Sequence, residues 1–97
     1  MLIRIVRMHF TAAGVDEFLE IFNSHMKEIR AIRGCRHLEL LKDIDDPLTY
    51  TTFSHWDDVE CLENYRKSEL FGKVWGSVKS LFSERSQAFS VEKYIEL

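Results

Sequence analysis

Apolar residues change their period several times along this chain, and each change marks an element. From Leu2 to Phe10, Ile3, Ile5 and Val6 stand among Arg4, Arg7 and His9, which reads as a strand. Apolar residues fall on both of its faces, so it is expected at the centre of a sheet. Thr11-Ala12-Ala13-Gly14 breaks it. From Val15 to Ile32 the spacing becomes three and four: Val15, Phe18, Leu19, Phe22, Met26 and Ile29 on one side, Asp16, Glu17, Glu20, Lys27 and Glu28 on the other. Acids come early, Arg30 and Arg33 late, as the helix dipole favours. Gly34 is placed to end the helix.

Cys35 to Asp43, with Leu38, Leu40 and Leu41, fits a second strand. Asp43-Ile44-Asp45-Asp46-Pro47 has turn chemistry, and Leu48 to Trp56 is dense in β-branched and aromatic residues. Together they predict an antiparallel hairpin. Asp57-Asp58 opens a helical stretch carrying Val59, Cys61, Leu62 and Tyr65 up to Ser68. A further helix follows with Leu70, Phe71, Val74, Trp75, Val78, Leu81 and Phe82. Gly72 and Gly76 inside it read as close packing on a neighbour, or as room made for a ligand. Gln87 to Leu97 reads as a last strand.

The order strand, helix, strand, strand, helix, strand is the split βαβ, ferredoxin-like unit. It predicts one α+β domain over residues 1–97, with a four-stranded antiparallel sheet. Right-handed crossovers put the first and third strands at its centre and the helices on one face. Leu38, Leu40, Phe53, Phe89, Val91, Tyr94 and Ile95 then supply more apolar strand surface than one helical layer covers. A homodimer is expected to shield the rest, and a clean 11.5 kDa species in sedimentation would remove that expectation.

Composition narrows the field further. At 45% hydrophobic and 12% aromatic residues the chain is not disordered. Its formal charge of −3 is spread along the chain, without the basic stripe of a nucleic-acid binder. No run of about 18 apolar residues exists to span a membrane, and the arginines of the first strand break any signal-peptide core. A cytoplasmic location is expected. Cys35 and Cys61 lack a CxxC spacing and read as small buried apolar residues.

The segment Trp56-Asp57-Asp58-Val59-Glu60-Cys61-Leu62-Glu63-Asn64-Tyr65-Arg66-Lys67-Ser68-Glu69-Leu70-Phe71 has a strand-ending Trp and an amphipathic helix with an aromatic. A Lys-Ser-acid-x-Phe motif follows. With Gly34-Cys35 after the first helix, it resembles the antibiotic-biosynthesis-monooxygenase family of dimeric α/β barrels. That resemblance implies two sheets face to face, and in each subunit a pocket between sheet and helices. Some members of that family oxidise polycyclic aromatics without metal or flavin, and others degrade haem. The haem-degrading branch has an axial His where this chain has Trp75, whose indole N–H only donates.

Four histidines, His9, His25, His37 and His55, do not read as a metal set. His9 and His55 belong at opposite ends of the sheet, and no third ligand joins His37 and His55 across the hairpin. His9 is the candidate for acid–base work, or else a solvated strand-end histidine. Arg7 on the same face is a candidate to hold an anionic substrate or to pair with Glu92. Trp56, Tyr65, Phe71 and Trp75 read as core or as pocket wall, with the Tyr65 hydroxyl the group expected to touch a ligand. No GxSxG, P-loop or GxGxxG is present, so no nucleotide cofactor is expected. The expected activity is cofactor-independent oxygenation of a small aromatic or quinol-like molecule. A non-catalytic dimeric ligand-binding or structural module is the alternative, and a haem-binding or haem-degrading role is a third reading that requires a residue other than Trp75 to supply the ligand.

Overall fold

A computed structural model describes residues 1–97. Its elements are β1 (Leu2–His9), α1 (Gly14–Arg30), β2 (Cys35–Lys42), β3 (Thr49–Trp56), α2 (Val59–Arg66), α3 (Glu69–Val78) and β4 (Gln87–Glu92). A 3₁₀ turn over Lys79–Leu81 extends α3. The strands form one antiparallel sheet in the order β2-β3-β1-β4, so β1 and β3 are central, as right-handed crossovers require. No helix is long and apolar enough to cross a membrane.

Local chemistry sets most of the boundaries. After α1 the chain reverses through Gly34 at φ 88°, a left-handed conformation that a side chain resists. Asp58 caps α2 by accepting from the Cys61 N–H at 2.8 Å, and Ser68 caps α3 by accepting from the Phe71 N–H at 3.1 Å. These two caps divide the helical region where the apolar stripe pauses. Asp57 takes a different role: its carboxylate accepts two hydrogen bonds from Arg36, at 2.7 and 2.8 Å. Arg36 lies at a bulge where the pairing of β2 with β3 shifts register.

Strand register sorts the side chains onto two faces. Leu2, Arg4, Val6 and Met8 lie opposite Trp56, Ser54, Thr52 and Tyr50 and face the helices. Leu38 and Leu40 pair with Ser54 and Thr52 and belong to this face too, packed against the core. The helical layer therefore covers these two of the apolar strand residues. That outer side carries Ile3, Ile5, Phe53, Leu41, Phe89 and Val91, with His37 and His55. Beyond Glu92 the regular strand stops, five residues short of the expected end. Tyr94 and Leu97 are almost fully exposed there and Ile95 is 69% exposed, so little apolar burial holds this end.

Two buried clusters form under the helices. Met8, Phe10, Phe18, Phe22, Tyr50 and Val78 make one, and Cys35, Trp56 and Leu62 the other. Gly72 and Gly76 face away from both, and a Cβ at either would meet nothing within 4 Å. Close packing does not explain these glycines. They loosen α3, each at up to about 1 kcal/mol relative to Ala.

Candidate functional site

The two clusters do not merge, because a cavity of about 250 Å³ separates them. Its floor is the helix-facing side of the sheet, including Arg4, Val6, Met8, Thr52, Ser54 and Ala88. Its roof comes from α1, α2 and α3 through Phe18, Phe22, Leu62, Tyr65, Phe71, Val74 and Trp75. Arg66 and Ala88, both exposed, mark where it opens to solvent. The volume lies below the usual ~300–1,000 Å³ of ligand sites, room for a few fused rings and not for a macrocycle. A shallow groove between α1 and β2 is wider but open along its length.

Helical spacing builds the aromatic wall. Tyr65 stacks on Trp56 with ring centroids 5.0 Å apart and planes at 19°. Phe71 meets Tyr65 edge-on at 5.2 Å and lies parallel to Trp75 at 6.0 Å. Trp75 continues to Phe82 at 5.5 Å, and Phe82 to Phe10 at 5.4 Å. Such offset and edge-on contacts fix flat surfaces against each other. Trp56 is fixed from the other side as well, since its indole N–H donates to Ser54 Oγ at 3.0 Å.

Thus Trp56, Tyr65, Phe71 and Trp75 converge on one cavity, and the choice between core and wall dissolves. Trp56 is 1% exposed and serves as both. Arg7 and His9 are not brought there. Both lie on the outer face, opposite Thr51 and Thr49, because successive strand residues alternate sides. His9 is held by Thr49 Oγ1 at 2.9 Å and Glu84 at 3.2 Å, while Thr49 donates to Asp46 at 2.7 Å. The arrangement is a satisfied strand-end histidine. Nor does Arg7 meet Glu92, which sits opposite Leu2 at the far end of the strand.

Arg4 and Arg66 went unremarked in the sequence, yet they are the charged groups of the cavity wall. Alternation ties Arg4 to Val6 and Met8, and the register with β3 turns that set inward. No His, Asp or Glu lines the cavity.

Burial pushes the Tyr65 hydroxyl up to about 12, with a smaller push from Cys35. It therefore stays protonated at neutral pH and keeps its O–H available for donation. A consequence for stability follows from the sign of that shift. Below pH ~10 the hydroxyl is protonated whether the chain is folded or not; between ~10 and about 12 only the unfolded chain ionises. Stability is expected to fall over that window by on the order of 2–3 kcal/mol. Denaturant titrations of wild type and Tyr65→Phe at stepped alkaline pH check this, since the variant loses that component of the slope.

Neither thiol is activated. Burial raises Cys35, and the Asp58 carboxylate, through its hydrogen bond and charge, raises Cys61. His37 and His55 meet across the hairpin with rings 5.2 Å apart on the outer face. No group of three His, Cys, Asp or Glu side chains converges as metal ligands would. Trp75 in this wall offers iron only a donor N–H and no lone pair, so it could not serve as an axial ligand.

Comparison with known proteins agrees with this architecture. A conserved protein from Methanosarcina mazei Go1 is similar at TM-score 0.90 and 19% identity, over 97% of this chain and 94% of that one. A crystal structure of an antibiotic biosynthesis monooxygenase gives 0.91 and 17%, over 98% and 100%. A Mycobacterium tuberculosis protein gives 0.89 and 17%, over 98% and 96%. At such identities the likeness shows the fold. No curated protein matches the chain. The family model described as antibiotic biosynthesis monooxygenase matches residues 1–74, from β1 into α3. With three-quarters of its length matched, this chain belongs to the antibiotic biosynthesis monooxygenase family.

Proposed function

We propose that the chain is a cofactor-independent monooxygenase acting on a small, electron-rich aromatic or quinol-like molecule. The observation that carries this is the flat-walled cavity whose polar groups include the protonated Tyr65 hydroxyl but no general base. The substrate must then ionise by itself, its proton leaving to water at the opening. For an anthrone-like ring the resulting carbanion gives one electron to O2. The two radicals combine at carbon, the peroxide anion takes a proton back from water, and the hydroperoxide so formed loses water to leave a carbonyl. One oxygen atom enters the product and the other leaves as water. Tyr65 donates a hydrogen bond to the substrate oxygen that carries the negative charge. Trp56, Phe71 and Trp75 hold the ring and exclude water.

Oxygen uptake with a panel of anthrones and quinols tests the reading. Turnover is expected above a protein-free baseline, and Tyr65→Phe should lower kcat by roughly 10- to 100-fold, the worth of one such donor. Binding without oxygen uptake anywhere in the panel would favour the alternative, a ligand-binding module. The missing base is the observation that keeps that alternative in view.

The outer face completes the proposal. Ile3, Ile5, Phe53, Phe89 and Val91 form an apolar patch on it, bordered by Arg7, His37, Glu39 and His55, with Phe89 46% and Val91 42% exposed. Helices cover only the other side. A second copy placed sheet to sheet would bury this surface and form the dimeric barrel implied by the family likeness. Sedimentation at twice the 11.5 kDa chain mass is the expected result.

A further inference from the structure

The chain as a whole is acidic, at −3, yet its cavity is not. Two guanidinium groups, Arg4 and Arg66, line it, and no carboxylate does. Arg66 stands at the exposed opening and is paired with Glu63 at 2.9 Å. Arg4 lies deeper, half-buried in the central strand. Its hydrogen bond is to the neutral Ser90 hydroxyl at 3.1 Å, the residue across from it on β4, and no ion pair engages it. Desolvation, then the charge of Arg66, depresses the Arg4 guanidinium, with Glu63 opposing. Arginine keeps its charge regardless. A half-buried cation without an anionic partner is costly to maintain unless something else compensates it.

We propose that Arg4, flanked by Arg66, is an anion subsite, and that the cavity takes a flat aromatic ligand bearing a carboxylate or an ionised hydroxyl. The rings lie against the Tyr65 side of the cavity and the anion reaches back toward the opening. Guanidinium suits this task because its planar fork gives two parallel hydrogen bonds to one anion. The inference deepens the oxygenase reading, since the same cation would hold a substrate as its phenolate where no base is present. It does not depend on turnover, because a binding module with this wall would select the same ligands.

Matched probes test it by NMR titration of the two indole N–H signals, Trp56 and Trp75, both in the cavity wall. Naphthalene-2-carboxylate and naphthalene-2-methanol have the same ring and nearly the same size. The carboxylate is expected to bind roughly tenfold or more tightly, as a charge-assisted hydrogen bond implies. Arg4→Gln should bring the two affinities together while the alcohol binds as before. Arg7→Gln, on the opposite face, should leave the preference intact. In wild type, raising salt should weaken the carboxylate alone, a readout that needs no variant. Equal affinities in wild type would overturn the anion subsite and spare the aromatic cavity. A preference that survives in Arg4→Gln/Arg66→Gln would overturn it likewise. Silence from both indoles with both probes would overturn the subsite and the cavity reading together.

Discussion

Trp56→Ala is expected to lower the free energy of unfolding by about 3–5 kcal/mol, the usual cost of removing a buried large aromatic. Trp56 is 1% exposed and forms the buried cluster with Cys35 and Leu62. Its ring supports Tyr65 at 5.0 Å, and its N–H is hydrogen-bonded to Ser54. Alanine would join the space left by the indole to the existing cavity, so neighbours could not collapse onto it. Small domains have roughly 5–15 kcal/mol in total, and the fall in Tm should be roughly 12 °C or more. Trp56→Phe keeps a ring under Tyr65 and should lose much less. Thermal unfolding of the pair measures both; equal losses would show that the Tyr65 stack contributes nothing.

Gly34→Ala is the second large effect, for two separable reasons. The backbone there is left-handed at φ 88°, which costs a non-glycine residue about 1–2 kcal/mol. An added Cβ would also lie 2.5 Å from Cys61 Cβ and 2.5 Å from its Sγ. Overpacking of that kind adds about 1–3 kcal/mol, for a total loss of roughly 2–5. Cys61→Ala should relieve little, because the Cβ contact remains. Gly34→Ala/Cys61→Gly should recover the packing part and leave the backbone part, a coupling that a double-mutant cycle isolates. Full recovery would mean that φ carries no strain. Since Cys61 is on α2, the clash would also tilt the helix that positions Tyr65.

Elements and their order were legible because periodicity is a local property. Gly34 and Asp58 announced a turn and a cap through chemistry that acts within a few residues. The site was legible by half. Trp56, Tyr65, Phe71 and Trp75 lie within twenty residues of one another, and helical spacing turns Phe71 and Trp75 the same way on α3. Arg7 and His9 were misplaced because β1 is apolar on both faces, so alternation alone did not say which set turned inward. That is decided by the partners: Trp56, Ser54 and Tyr50 across β3 come under the helices, and Arg4 goes with them. The same ambiguity left open which side Leu38 and Leu40 take. Gly72 and Gly76 taught the opposite lesson, since an interior glycine implies a close neighbour only when one is there.

The last strand carries a consequence of its own. Every residue of β4 is exposed, it pairs with β1 alone, and it is six residues long, so its amides should be the first of the sheet to exchange with solvent. Through Ala88 on one face and Phe89 and Val91 on the other, β4 borders both the cavity and the surface offered to a twin. If two copies meet there, ligand occupancy and association share one loosely held segment. Whatever quiets its breathing from one side lowers the entropy left to lose on the other, and affinity for the small molecule should then rise with protein concentration.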